Sequence, residues 1–270
     1  MAESKTPEID GTVVVTEFVR HRNALLARAD FGPLFTDYYL HLSQHGLKHD
    51  EAQDRLFKDA LAAFTLHCAS RPQGEHIAWT LNFQEPRLNL FLTGDNEDFD
   101  VAGRIFTENV RELPRNLFYG DNLPRRGAEK RRSVVEFDGA DALRAVEVYY
   151  AGSEQRPGRL FYLGGDEYAL LSSHPDCDEA WFAAVTQPEI RTLAERETLA
   201  PIERRAYRWN CGCTQQKILG ALAPAFRADA EGLYGGSESI RVQCPRCAAT
   251  HVLTREAMEA YVAQTAKPGA

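Results

Sequence analysis

Six cysteines occur in the 270 residues, and four of them fall in two close pairs near the C-terminus. The first pair reads Cys211-Gly212-Cys213. After 30 residues comes the second, Cys244-Pro245-Arg246-Cys247. Two such pairs supply two edges of a tetrahedron of soft thiolate ligands, the set that structural zinc prefers. Gly212 allows the tight turn that faces both flanking sulfurs toward one ion, and Pro245 stiffens the second knuckle. The spacing predicts one zinc ion held by Cys211, Cys213, Cys244 and Cys247. Zinc would fold a small module that has little core of its own, and it would keep the sulfurs as thiolates, the form that oxidants attack. With four cysteine ligands the ion has no open position for water, so hydrolysis at the metal is not expected.

The other candidates are weaker. His251 follows Cys247 by four residues and reads as a solvent-facing side chain rather than a ligand. Cys68 lies on an apolar helical face and reads as a packed core thiol. Cys177, after Pro175-Asp176 at a helix start, has a position that can make a thiol somewhat acidic, but with no partner nearby in sequence it reads as an incidental residue. The chain has no Gly-rich phosphate loop, no H-E-x-x-H and no nucleophile elbow, so no enzyme is expected.

The elements that must position these residues can be read in outline. Thr12 to Val19 is β-branched and reads as a strand. A helix opened by Pro33 runs through Leu34, Tyr38, Leu42 and Gln44 to Gly46. Asp50 caps the next helix, which puts Leu56, Phe57, Ala60, Leu61, Phe64 and Cys68 on one face before Pro72 and Gly74. His76 to Asn82 and Arg87 to Thr93 form a hairpin around Glu85-Pro86. Gly94-Asp95-Asn96 is a turn, and Val101 to Thr107 a further strand. Leu117 to Arg132, rich in Gly, Pro and Arg, reads as a loop, and Ser133 to Phe137 as a strand. Asp141 to Tyr150 is a helix; Leu160 to Leu163 and Tyr168 to Leu171 flank Gly164-Gly165 as a hairpin; Asp178 to Val185 is a helix. From Gln187 to Arg208 the charge density, with a thin apolar stripe of Ile190, Leu193, Leu199 and Ile202, predicts a helical connector that needs docking to stay folded. The fold class is therefore α+β. Residues 1–186 form a core of mixed sheet with packed helices, 187–208 a helical linker, and 209–270 a small zinc-binding domain.

Composition sets the address and the partners. The chain is 44% hydrophobic and 26% charged, with a net charge of −8. Residues 201–270 carry nine Lys and Arg against six Asp and Glu, and the rest carries 22 against 33. An acidic body is a poor match for nucleic acid, although the mildly basic end with Arg241, Arg246 and Arg255 keeps a zinc-ribbon nucleic-acid binder as an alternative. No apolar run reaches membrane-spanning length, and Met1 to Asp10 lacks the apolar core of a signal peptide. The expectation is a cytoplasmic protein without membrane association. In the reducing cytosol, clustered cysteines read as metal ligands or redox sensors.

The order C-x-C, loop, C-x-x-C resembles the redox-regulated chaperone family of heat-shock protein 33. A second resemblance lies far from it. Val146 to Phe161 reads VEVYYAGSEQRPGRLF and is similar to a family segment at the matching place, through Tyr149, Tyr150, Ser153, Glu154, Gln155, Pro157, Arg159, Leu160 and Phe161. The resemblance runs over most of the chain, specifically at these two motifs. It implies an ATP-independent holdase that binds unfolding proteins under oxidative stress, inactive when reduced and zinc-bound. Disulfides Cys211–Cys213 and Cys244–Cys247, with zinc release, would activate it, and the active form would be a homodimer. A bridge between residues as close as Cys211 and Cys213 is strained and easily reduced again, which suits a reversible switch. The stretch from Ser153 to Cys211 is shorter than in the family. A constitutive holdase with purely structural zinc is the nearest alternative.

Overall fold

A computed structural model describes residues 11–124 and 129–265; the segment read above for a signal peptide, and the middle of the Leu117 to Arg132 stretch, lie outside the described residues. Twelve strands and nine helices are present among them. The N-terminal half holds β1 (Thr12–Val19), β2 (Ala24–Asp30), α1 (Gly32–His45), α2 (Glu51–Ala69), β3 (Glu75–Gln84), β4 (Arg87–Asp95), β5 (Asp100–Phe106), β6 (Asn116–Pro124) and β7 (Arg131–Phe137). Then come α3 (Ala142–Gly152), β8 (Gly158–Gly164), β9 (Glu167–Ser173), α4 (Glu179–Ala184), α5 (Gln187–Arg191), α6 (Leu193–Arg196) and β10 (Leu199–Trp209). The C-terminal part is α7 (Gln215–Ala228), α8 (Ala230–Tyr234), β11 (Ser239–Gln243), β12 (Thr250–Thr254) and α9 (Arg255–Thr265). The α+β class holds.

Ten strands make one sheet in the order β7-β6-β3-β4-β5-β10-β1-β2-β9-β8. Every neighbour is antiparallel except β5 and β10, which run parallel and pair only at Arg208 with Asp100 and Trp209 with Val101. The ten strands are thus two five-stranded units sewn together by two residue pairs.

Helix α2 is the spine of the core. Asp50 accepts from Gln53 N at 2.8 Å while the Gln53 side chain takes the Asp50 N–H, so both ends of a capping box are made. The expected face is buried, and so is everything else from Ala60 to Ala69, because α3 and the sheet enclose that half of the helix on all sides. That includes His67. Its ring shares a 2.9 Å hydrogen bond through Nδ1 with the Tyr150 hydroxyl and lies 4.8 Å from the Trp79 ring. Complete burial, then the charges of Arg71 and Arg156, hold the imidazole well below its ordinary value of 6.5. Below about pH 6.5 the unfolded chain takes up a proton here that the native state refuses, so stability falls as pH falls, by up to about 1.4 kcal/mol per unit. Urea midpoints at pH 7.5 and 5.5 should therefore differ more for the native chain than for His67→Gln; equal differences would refute the assignment.

Two expectations need correction. The stretch Leu117 to Arg132 is not a loop: β6 runs to Pro124 and β7 begins at Arg131. Gly120 read as a loop residue, yet it sits in β6 because the Tyr149 ring lies on it; a Cβ there would meet Tyr149 Oη at 2.3 Å. The stretch 187–208 is helical only to Arg196. From Leu199 it is β10, with Arg205 and Tyr207 buried and Arg204 and Arg208 exposed, a period of two. Ile190 and Leu193 belong to the short helices and are buried. The pairing with β1 shifts register between Thr16 and Glu17, opposite Ile202 and beside Pro201, where the strand lacks an N–H. Arg205, 6% exposed, donates to the carbonyls of Arg71 at 2.7 Å and Cys68 at 3.3 Å, and so caps the C-terminal end of α2 with a cation.

The body has two apolar layers. One lies between a sheet face and helices α1, α2 and α3. The other covers the opposite face of β2, β8 and β9, where Leu26, Phe161, Leu163 and Leu171 meet Phe182, Val185, Ile190 and Leu193 from α4, α5 and α6.

Candidate metal centre

The Cys211 knuckle begins two residues after the end of β10, and the Cys244 knuckle lies in the turn between β11 and β12. Gly212 has φ +61°, the left-handed backbone expected of it. Asn210 fixes the approach, accepting from Gly212 N at 2.9 Å and donating to Asp100 at 2.6 Å. In the second knuckle Ala248 N donates to Cys244 O and Cys244 N to Ala249 O, a turn that presents both sulfurs inward.

The four Sγ atoms lie within 4.8 Å of one another. Cys211 to Cys244 and Cys213 to Cys247 are each 3.6 Å. Four sulfurs about 2.3 Å from one ion stand about 3.8 Å apart at tetrahedral angles, so the donor set fits a zinc-sized ion. Charge agrees. The Cys211 thiol is drawn down to about 5, first by its hydrogen bond with Cys247 and also by the Arg246 charge. Cys213 is pushed up to about 12 by burial and by the Cys211 charge, and Cys247 is raised by its hydrogen bond to Cys211 and by burial. Like charges this close can all ionise only around a cation. The four cysteines can hold a metal ion.

The centre is docked on the body. Cys244 and Cys247 are 2% and 1% exposed, packed with Ala102 of β5 and Ala249, while Cys211 and Cys213 are half-buried. Arg104 donates to Cys244 O at 2.9 Å, and His41 Nε2–H to Cys247 O at 2.8 Å. Trp209 joins both sides: its ring lies 5.3 Å from Tyr38, 5.4 Å from His41 and 6.1 Å from Phe57, and it also touches the cysteine cluster. Away from the body, Leu219, Ala223, Tyr234, Leu253 and Met258 form a separate small core for α7, α8, α9 and the β11–β12 ribbon.

Sequence reasoning misjudged one residue here. His251 does not face solvent; it is half-buried, with Nε2 3.4 Å from Cys213 Sγ. Cys177 is not acidic; burial raises its thiol. Sequence gave no sign of His41, which reaches the site from 206 residues away. Cys68 is fully buried and its thiol is raised by burial, an inert core thiol.

The second motif is far from the centre and does structural work. Tyr150 is buried on α3 beside His67, and Gly158 passes under its ring, where a Cβ would come within 2.6 Å. Ser153 N closes α3 on Tyr149 O, and Glu154 pairs with Arg71 at 3.0 Å. Gln155 has φ +53°, and Pro157 O accepts from Ser173 N at 2.9 Å. Arg159 Nη1 donates to three carbonyls at the end of α4: Phe182 at 2.8 Å, Ala183 at 3.1 Å and Val185 at 2.7 Å. Arg159→Ala leaves these acceptors uncapped and should cost about 1–2 kcal/mol. Faster amide exchange confined to 179–191 is the expected signature, and unchanged exchange there would contradict it.

No helix among the described residues is long and apolar enough to cross a membrane, and no family model matches the chain. A 33 kDa chaperonin of Ectopseudomonas mendocina is 26% identical over 153 residues, covering 46% of this chain and 51% of that protein, so the chain spans about half the length of this relative. A 33 kDa chaperonin of Proteus mirabilis is 20% identical over 244 residues, covering 77% and 83%. The crystal structure of the 33 kDa chaperonin, a heat-shock protein 33 homologue, from Thermotoga maritima superposes with a TM-score of 0.69 at 14% identity, over 94% of this chain and 98% of that one; at that identity the likeness speaks to the fold.

Proposed function

We propose that this chain, a member of the heat-shock protein 33 family by its relatives and its fold, is an ATP-independent holdase of the cytoplasm, switched by oxidation of Cys211, Cys213, Cys244 and Cys247. The observation that carries the switch is the gathering of these four thiols at the foot of β10, against the body. Zinc would supply the module's fold and keep the sulfurs deprotonated. Each disulfide, Cys211–Cys213 or Cys244–Cys247, takes two electrons from its pair of thiolates, and with two protons from solvent one peroxide is reduced to two waters. Once both form, no ligand set remains. The knuckles then lose the shape that lets Arg104 and His41 grip their carbonyls, and the module can leave the body.

Client binding belongs, in this reading, to the apolar face of β2, β8 and β9 that α4, α5 and α6 cover. These helices have six, five and four residues, too short to persist unless docked. Their release would expose a contiguous apolar surface of the kind that holds unfolding chains. We keep 1–186, 187–208 and 209–270 as the working division into client-binding body, connector and switch. The oxidised form is taken to be a homodimer. No nucleic acid, membrane or catalytic step is part of this function.

One observation favours a second reading. β10 pairs with β1 from Thr12 to Val19 in the middle of the sheet, which is unlike a connector built to unfold. A constitutive holdase with structural zinc follows from that. Light scattering of a thermally unfolding client separates the two, with the chain reduced and zinc-loaded and again after peroxide at elevated temperature. Suppression only after oxidation, with zinc release, supports the switch. Equal suppression in both states supports the constitutive form, and none in either state refutes both.

A further inference from the structure

The function proposed above leaves one side chain at the cysteine cluster without a role. His251 sits in β12 opposite Val242 of β11, with Nε2 3.4 Å from Cys213 Sγ. That sulfur is also 3.6 Å from Cys247 Sγ, so the imidazole stands at the Cys213 corner of the cluster. His251 lines a cavity of about 550 Å³ that opens onto Cys211, Gly212 and Cys213, with the buried Cys247 at its wall. The two halves of the cluster are unequally sheltered: Cys244 and Cys247 are buried, and Cys211 and Cys213 are half-buried beside this cavity. A reagent arriving from solvent therefore meets the C-x-C half first. The other imidazole in contact with the knuckles is committed, since His41 Nε2–H is held by Cys247 O at 2.8 Å.

We propose that His251 is a reserve ligand of this site: when Cys213 is lost, Nε2 takes its corner, and a zinc-class cation stays bound by Cys211, Cys244, Cys247 and His251. The proposal rests on the metal-site reading above. Three cysteines and one histidine are an ordinary structural zinc set. The nitrogen need not travel farther than its distance from the sulfur it replaces, and imidazole binds metal in its neutral form. The consequence is a two-hit site. Oxidation of Cys213 alone, in which one peroxide converts a thiol to a sulfenic acid and becomes one water, leaves four ligands. The metal is released only when a second ligand, Cys211, Cys244 or Cys247, is oxidised as well.

Cobalt(II) titration of the full chain without oxygen tests this, because the sulfur-to-metal charge-transfer intensity counts thiolates. The native chain and His251→Ala should show four thiolates. Cys213→Ala should bind cobalt with about three-quarters of that intensity, and Cys213→Ala/His251→Ala at least about tenfold more weakly. Cys211→Ala should not respond to His251→Ala, because the imidazole stands at the other corner. Equal affinity of Cys213→Ala with and without His251 overturns the proposal, as does a folded Cys213→Ala that binds no cobalt. A native chain that binds no cobalt removes the metal reading itself. A second measurement needs no cysteine variant. During slow peroxide addition, zinc release from the native chain should lag modification of Cys213 and track modification of Cys211, Cys244 and Cys247, whereas His251→Ala should release zinc as soon as Cys213 is modified. Identical release curves for the two chains refute the reserve role.

Discussion

Cys247→Ala should strip the chain of metal and unfold its C-terminal module while leaving the body folded. The residue is 1% exposed, its sulfur closes the cluster, and its carbonyl receives His41. Among the described residues the module's own core has five buried side chains, too few to carry some fifty residues unaided. Zinc in small modules contributes about 10–16 kcal/mol of apparent folding free energy, so a damaged ligand set outweighs every other contact in this region. Metal analysis should fall from near one zinc per chain to near none. Amide protection should vanish over 211–265 and persist in α2 and β3. Full protection of the module in the metal-free variant would show that it folds on its own packing.

Trp209→Ala should have the second-largest effect, and a different one. The indole is the last residue of β10 and packs on Tyr38, His41 and Phe57 on one side and the cysteine cluster on the other. Removing it costs about 3 kcal/mol of body stability, at the low end for a large aromatic because the ring is only half-buried. Unlike loss of a ligand, it should also uncouple the parts. The module should keep its zinc but undock, so that thermal unfolding splits into two transitions and chelators remove the metal faster. A single transition with unaltered chelation kinetics would mean that Arg104 and His41 suffice to hold the module in place.

Much of this was legible in advance for identifiable reasons. The capping box at Asp50, the C-cap at Gly46 and the two hairpins announced themselves through local chemistry that packing did not override. The four cysteines came together because their spacing encodes a local geometry, a short turn on each side. What stayed hidden depends on distant partners. β10 carries Glu203, Arg204, Arg205 and Arg208, and its charges suggested a helical connector. Nothing nearby in sequence says that Arg205 will turn inward to cap a helix 134 residues earlier. Gly120 looked like a turn because the aromatic ring that requires it lies on another element. His251 looked exposed because its neighbour Cys213 is 38 residues away. In the proposed switch, the strength of redox control would depend on the same hidden strand, since a connector woven into the sheet must be unzipped before the body can change.

The placement of β10 also fixes when the protein can fold during its own synthesis. Thr12 pairs with Tyr207 across almost the whole chain, so the edge of β1 is made long before its partner exists. At ordinary elongation rates the gap is about 10 to 40 seconds. For most of that interval β1 and β2 can form only a two-stranded ribbon; once β8 and β9 are made by residue 173 they can form four strands, and the edges of β1 and β5 both wait for the same late strand. The unit built from β3 to β7 has all its strands by residue 137 and can assemble while the rest is still being translated. The ribosome thus delivers one half of the sheet early, and the strand that joins the two halves only as the first cysteine knuckle follows β10 out of the exit tunnel.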